Sequence, residues 1–343
     1  MISPRIPAAL LAAAFALAAC TGGAGRPPGG DPSSAGDASG GRVSEGTVSG
    51  GTVSGGTVSG GPVSGGAASP GAPPELTPEA YEIALEAVGG PFGTAVGDIA
   101  KARTIRSLKQ RIGRARDAAG AGAGRLSGVR PPADIGPEHA DYLAALRGVG
   151  DRLGALGDAV DGHSLCTGRA VLARLGTSDE FAALKEAGAD LAGGGDYRGG
   201  IVTVKPPAER SRRLGNGAVL RSAVRGGYAS LTVKNGNPRD GVVTLLRGRT
   251  KALSFYVRKK STAKIGNIRD GTYHVYFTTG ADYDRSARVF TRDCAFQRFD
   301  DTMRFHTSRV GSQIRWTNWR LTLNRTAGGN AKVDDVDPDD FPS

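Results

Sequence analysis

The spacing of apolar residues changes once along this chain, at the run Gly193-Gly194-Gly195, and that change divides the foldable part in two. Before the run, Ile105, Leu108, Ile112, Ala115, Ala119, Gly122 and Leu126 recur at alternating intervals of three and four, with Arg and Lys between them. That is a single apolar stripe on a long helix. After Pro137 the stripe returns as Leu146, Val149, Leu153, Leu156 and Val160, and a further pair of helices is predicted over 165–175 and 181–191. Thr77-Pro78-Glu79 starts an earlier helix through Tyr81, Leu85 and Val88, which Gly89-Gly90-Pro91 is expected to break. Thr177 and Glu180 stand in a capping-box relation before the last helix. Glycines at 120, 122 and 124 each cost roughly 1 kcal/mol relative to Ala. The second half of that helix is therefore either frayed or closely approached by a neighbour. Single-striped helices on short links pack as a small antiparallel bundle, here assigned to residues 75–195.

Beyond 195 the period becomes two. Leu253, Phe255 and Val257 alternate with Ser254, Tyr256 and Arg258, and Tyr273, Val275 and Phe277 alternate with Thr272, His274 and Tyr276. This is the rhythm of half-buried strands. Asn235-Gly236, Asp240-Gly241 and Asp270-Gly271 supply turn residues. Seven to nine short strands are expected from about 218 to 325, arranged as an antiparallel β-sandwich of prealbumin-like or Ig-like type. The fold class is thus α+β in two domains, with a β-domain over 196–330.

The first 74 residues cannot build a core. Arg5 precedes a nearly uncharged run from Ile6 to Ala19 of about 14 residues, too short for a hydrocarbon span that needs roughly 20. Residues 1–19 are read as a signal peptide. Leu17-Ala18-Ala19-Cys20 resembles the lipobox cut by the lipoprotein signal peptidase, which implies that Cys20 becomes a lipidated N-terminus at the outer face of the cell membrane. From 20 to 74 runs a Gly, Ser and Pro tract in which Gly46-Thr47-Val48-Ser49-Gly50 recurs at 51–55 and 56–60, with a variant at 61–65. Such composition buries too little apolar surface to order itself. As a flexible linker of about 54 residues it reaches about 40 Å, enough to place a folded module within the wall zone.

Net charge becomes informative once it is divided along the chain. Residues 196–330 carry 26 Lys and Arg against 9 acids, a balance of +17, whereas 75–195 stand at −2 and 331–343 at −4. The excess therefore belongs to the β-domain. Arg212, Arg213, Arg258, Lys259 and Lys260 are its candidate polyanion-binding residues. Outside the cell the available polyanions are phosphate-rich wall polymers and anionic headgroups, while nucleic acid lies in the wrong compartment. The acidic segment from 331 is expected to be a solvated tail able to fold back on the basic surface and compete with a ligand.

Three stretches of the β-region are familiar. They are Arg292-Asp293-Cys294-Ala295-Phe296-Gln297-Arg298-Phe299-Asp300-Asp301, Asp270-Gly271-Thr272-Tyr273, and the ending Val336-Asp337-Pro338-Asp339-Asp340-Phe341-Pro342. Together they resemble the C-terminal domain of a family of uncharacterised secreted proteins and lipoproteins of high-GC Gram-positive bacteria. The likeness covers about 130 residues and implies location and fold, with no activity attached. More loosely, the strand start at Asp270 resembles those of prealbumin-like and carboxypeptidase-regulatory-like sandwiches, which are generally accessory or binding modules.

Catalytic patterns are sparse. Ser261 and Lys264 form an S-x-x-K match, but the penicillin-binding chemistry needs that serine at a helix start with the lysine one turn on, accompanied by K-T-G and S-D-N. His139, His163, His274 and His306 are scattered without a close-spaced second metal ligand. The acids at 334, 335, 337, 339 and 340 lack the loop of an EF-hand. No enzyme activity, metal or cofactor is expected. Cys166 and Cys294 remain after lipidation, and outside the cell they are expected to pair and join the two domains, the alternative being two buried free thiols. Trp316 is the candidate for stacking on a sugar ring beside Tyr276 or Tyr283, on the strand face opposite Trp319, Leu321 and Leu323. The expected function is a lipid-anchored, non-enzymatic binding or structural module facing anionic cell-wall polymer. The alternatives are a scaffold docking a membrane or secreted protein through the helical bundle, and a carbohydrate-binding module.

Overall fold

A computed structural model describes residues 73–200, 202–323 and 332–342 of the protein. The signal-like segment, Cys20 and the linker to residue 72 lie outside the described residues. Within them the fold is α+β, with five α-helices followed by twelve strands that pair antiparallel except once.

The helices are α1 (Pro78–Ile99), α2 (Ile105–Leu126), α3 (Gly136–Asp161), α4 (Gly168–Gly176) and α5 (Asp179–Gly195). Thr77 caps α1 by accepting from the Ala80 N–H at 3.3 Å. The expected break at Gly89-Gly90-Pro91 is absent, and α1 runs straight through it. Pro91 has no N–H, so the Ala87 carbonyl loses its helical donor, and Arg125 of α2 approaches that oxygen at 3.5 Å. Burial of Val88, Phe92 and Val96 on one stripe holds the helix together across the proline. Gly89 is required by contact, because a Cβ there would collide with the Gly199 carbonyl oxygen. The same holds at Gly122, where a Cβ would come within 2.5 Å of Val88. Of the two outcomes open for the second half of α2, close approach is therefore the one realised. The cap of α5 is Ser178, which accepts from Phe181, rather than Thr177. Thr177 donates back to the Ala173 carbonyl and closes α4 instead. One apolar cluster, from Tyr81 to Val202, fills the space among the helices. Among the described residues no helix is long and apolar enough to cross a membrane.

The strands are β1 (Val219–Ser222), β2 (Arg225–Asn235), β3 (Asp240–Arg247), β4 (Thr250–Val257), β5 (Ser261–Ile268), β6 (Gly271–Asp284), β7 (Val289–Phe299), β8 (Met303–Phe305), β9 (Thr307–Val310), β10 (Gln313–Trp316), β11 (Trp319–Thr322) and β12 (Val333–Asp335). A seven-stranded sheet has the order β1-β4-β3-β6-β7-β12, with β8 added on β6, and a three-stranded sheet has the order β11-β2-β5. Leu231, Val233 and Ile265 of the smaller sheet share one apolar cluster with Val243, Leu245, Phe255 and Phe277 of the larger. The alternation in β4 marks two buried faces rather than one, since Tyr256 joins a second cluster with Val242, Tyr283 and Phe290. Asp240-Gly241 is not a turn: it begins β3, and the reversal occupies residues 236–239. Asp240 is drawn into the sheet because its carboxylate is buried on internal donors.

The acidic tail is part of the fold. β12 pairs with the outer edge of β7, Asp334 faces Arg298 at 3.5 Å, and Phe341 packs edge-on against Tyr276 and Phe296. Asp339 accepts from the Ile105 N–H at 3.1 Å and pairs with Arg106 at 3.4 Å, a carboxylate at the positive end of α2. A solvated tail competing for the basic surface is thereby corrected.

The rest of the β7 edge is covered by the segment before α4. Cys166 N–H donates to Thr291 O, Asp293 N–H to Ser164 O, and Cys294 N–H to His163 O, at 2.9 to 3.2 Å. A register shift where Thr279 and Ala281 face Ala295 and Arg292 inserts one extra residue in β7, a bulge that bends the strand locally. A disulfide joins Cys166 to Cys294 there, with Cα atoms 6.5 Å apart and a sequence separation of 128. Closing so long a loop stabilises the fold by about 4 to 5 kcal/mol in the entropic model. The double variant Cys166→Ala/Cys294→Ala is expected to lose about 2 to 5 kcal/mol in urea unfolding; an unchanged midpoint would show that the backbone ladder alone carries this seam.

Candidate polyanion-binding surface

Cations serve this fold in two ways, and the geometry separates them. Arg212 grips Asp282 with Nε and Nη2 at 2.9 Å each and Asp284 with Nη1 at 2.8 Å, and its backbone N–H donates to Asp282 at 2.7 Å. Arg213 forks onto Asp240 at 2.6 and 2.7 Å. These two arginines tie the segment preceding β1 to buried carboxylates, Arg212 with its Nε, Nη1 and Nη2 and Arg213 with its Nε–Nη2 edge. They are removed from the candidate ligand contacts, because a phosphate would have to displace an internal, desolvated partner.

The carboxylates respond accordingly. Burial raises the Asp282 pKa, but the Arg212 bonds and the Thr291 hydroxyl outweigh it and leave the group at about 2. Burial likewise raises Asp240, and Arg213, the Tyr256 hydroxyl and the Lys259 N–H overcome it to reach about 2. Asp284 is held well below the usual carboxylate range against its own burial by Ser286, Arg212 and the Ala287 N–H.

Arg258, Lys259 and Lys260 follow β4 and are exposed. Arg258 Nε donates to the Leu214 carbonyl at 2.8 Å, Lys259 contributes its N–H to Asp240, and Lys260 Nζ reaches the Gly236 carbonyl at 2.5 Å. The first two therefore help to hold the segment preceding β1 and the start of β3. Lys260 borders a different surface.

That surface is the outer face of β11-β2-β5. Thr232 is registered with Arg320 on one side and Lys264 on the other, and in the next row Lys234 lies between Thr322 and Thr262. Period-two geometry puts all six on one face, because Leu231, Val233, Ala263, Ile265 and Leu321 point into the core. The second row borders an open recess of about 460 Å³ that also takes in Lys260 and Gly236. None of β2, β5 and β11 contains an acid, and Lys234, Lys264 and Arg320 form no ion pair among the described residues. Ammonium, guanidinium and hydroxyl donors thus alternate across a sheet face with no carboxylate to neutralise them.

At one end of this face an aromatic pair stands in solvent. Trp316 is 45% exposed and Tyr228 57% exposed, stacked with ring centroids 5.8 Å apart and planes inclined by 28°. Trp316 ends β10 while Trp319 begins β11, so the two do not share one final strand. Its neighbour is Tyr228 rather than Tyr276 or Tyr283: Tyr283 is buried, and Tyr276 packs on Phe341. Sequence reading missed Lys234, Lys264, Arg320 and Tyr228 as members of one surface: the antiparallel register of β5 on β2 sets Lys264 beside the row of Lys234, and the parallel register of β11 on β2 adds Arg320.

The remaining candidates are dispersed. Ser261 and Lys264 lie three apart on β5, on opposite faces of a strand, so the spacing that suits a helix does not bring them together. His139 is buried against the Tyr81 hydroxyl at 2.8 Å, and desolvation lowers its pKa. His274 is exposed on β6, and His306 lies 4.0 Å from Asp270. Among the described residues no group of three His, Cys, Asp or Glu side chains is placed to hold a metal ion. No family model, curated protein or solved structure matches the chain.

Carboxylates with lowered pKa stabilise the folded state above their unfolded pKa of about 3.9, and that contribution is lost as pH falls through the folded value near 2. Unfolding free energy is therefore expected to drop between about pH 4 and about pH 2, by about 2 kcal/mol for each such carboxylate. Urea titrations across that range test this, and Asp282→Asn should flatten part of the slope; a slope unchanged in the variant would remove Asp282 from the account.

Proposed function

We propose that the protein is a lipid-anchored, non-enzymatic module at the outer face of the cell membrane that binds an anionic sugar-phosphate polymer of the cell wall through the outer face of β11-β2-β5. The observation that carries this reading is the acid-free register of Arg320, Thr232 and Lys264 above Thr322, Lys234 and Thr262. Exposed lysines and an arginine meet phosphates as charges, and threonine hydroxyls add directional donors. The Trp316–Tyr228 pair offers an apolar ring face to a sugar at the edge of the same surface. Anchoring is supported by the lipobox-like Leu17-Ala18-Ala19-Cys20, and an oxidising location by the Cys166–Cys294 bond.

In this reading the chain has two domains. Separate apolar clusters for helices and strands support the division, and the cluster shared by the two sheets supports a β-sandwich as the architecture of the second. A scaffold role for the helical bundle has little to stand on, since Ile83 is the single large apolar helix residue that is strongly exposed among the described ones.

Cosedimentation of the chain lacking its first 20 residues with purified wall, before and after removal of phosphate polymers, tests the proposal. Binding should require the polymer and fall steeply with salt. Lys234→Ala/Lys264→Ala/Arg320→Ala should weaken it roughly tenfold or more, at up to about 1 kcal/mol per exposed charge. Trp316→Ala should weaken binding to glycosylated polymer and spare a bare polyphosphate. Salt-insensitive binding, or a triple variant that binds like the parent, would sink the reading.

A further inference from the structure

The outward face of the seven-stranded sheet, on the side away from β11-β2-β5, encloses a cavity of about 320 Å³. Four parts of the chain meet around it: β1, β3 and β4 of the sheet, the β6–β7 reversal, the start of α2 with Cys166, and the C-terminal segment. The interior is apolar, lined by Leu220, Val242, Tyr283, Phe290, Phe296 and Phe341. Two hydroxyls in its floor, Thr244 and Ser254, bond to one another at 2.8 Å, and Thr278 adds a third polar group to the lining.

The lining charges are one-sided. Arg103, Arg221, Lys251 and Arg288 line this cavity, and none of them forms an ion pair among the described residues. Asp339 is the single acid among its lining residues, and its oxygens are engaged by the Ile105 N–H and Arg106. Arg221 uses Nε on the Lys251 carbonyl at 2.8 Å, which holds the two cationic side chains on neighbouring strands. Burial, followed by the repulsion of Arg288 and Arg221, lowers the Lys251 pKa.

Protein interiors are close-packed, so the apolar part of this lining makes fewer dispersion contacts than it would against an occupant. A cavity of this size falls at the lower end of small-molecule sites, which are mostly apolar with a few fixed polar groups. At about 320 Å³ it lies near the roughly 300 Å³ lower limit of such sites, a size that suits one medium-length hydrocarbon chain better than the paired chains of a bilayer lipid. We propose that this cavity binds a single-chain anionic amphiphile, with its hydrocarbon tail against Val242, Tyr283 and Phe290 and its phosphate or carboxylate head among Arg221, Lys251 and Arg288. The site is separate from the polymer-binding face, and neither rests on the other.

Calorimetric titration of the full chain with monomeric dodecyl phosphate, laurate, dodecanol and butyl phosphate tests this. Both anionic long-chain probes should bind saturably at one per chain, and their relative affinity tells whether a phosphate or a carboxylate head is preferred. Dodecanol and butyl phosphate should each bind at least about tenfold more weakly, the worth of a hydrogen bond to a charged group or of a lost apolar tail. Lys251→Gln/Arg288→Gln, at partly exposed rim positions, should weaken dodecyl phosphate about tenfold and leave dodecanol unchanged. Val242→Trp should abolish binding, with circular dichroism to establish that it folds. Lys234→Ala/Lys264→Ala should bind both long-chain anions like the parent. The proposal is overturned if neither long-chain anion binds saturably, if the rim variant binds like the parent, or if only vesicles of phosphatidylglycerol and not monomers are bound.

Discussion

The outer edge of β7 is where the helical and β regions become one molecule. A strand edge presents a row of backbone donors and acceptors that must be paired or covered. Here residues 163–166 take the first half of the row and β12 takes the second. Each backbone bond contributes only about 1 kcal/mol net, but the bulge in β7 brings Cys294 to Cys166 at the same place. Glu209 reinforces the seam, pairing with Arg174 of α4 on one side and Arg292 of β7 on the other. From there the C-terminal segment continues to α2, where Asp339 meets the helix N-terminus. Three links, covalent, backbone and electrostatic, thus converge on one strand edge.

Charge in the β-region divides by burial. The Arg212 and Arg213 pairs with Asp282, Asp284 and Asp240 are partly desolvated, and such pairs add little net stability but cost several kcal/mol when one partner is removed. Their effect is positional: they fix where the segment preceding β1 crosses the sheet. The cations of β2, β5 and β11 face solvent on a surface without acids. A local density of Arg in sequence therefore does not identify a binding surface, since the densest cluster, at 210–213, is the most internally committed.

Periodicity alone makes the helices and most strands legible. The stripes of α2 and α3 and the alternation in β4 and β6 follow from local geometry. What could not be read depends on partners distant in sequence. Gly89-Gly90-Pro91 has the composition of a break, yet Arg125 and the Gly199 turn supply the contacts that keep α1 whole. Asp240-Gly241 has the composition of a turn, yet Arg213 and Tyr256 draw the carboxylate into the sheet. The candidate surface was legible only in part: Lys260 and Trp316 stood out, while Lys234 and Lys264 needed the β2–β5 register, Arg320 the one parallel pairing in the fold, and Tyr228 its stack on Trp316 to become neighbours.

The acidic tail shows why position outranks net charge. Facing a +17 β-region, a free segment with five Asp would be drawn to the most basic open surface and would screen it. Instead β12 pairs with β7, Asp334 and Asp339 meet Arg298 and Arg106, and Phe341 inserts between Tyr276 and Phe296. Backbone pairing and aromatic burial are short-ranged and directional, so they select one edge where a diffuse field would select a whole face. Its charge is used at the seam and beside the apolar cavity, and the face of β11-β2-β5 is left without an internal anion. A basic surface kept clear in this way keeps its full field, which is what the proposed binding of a polyanion requires.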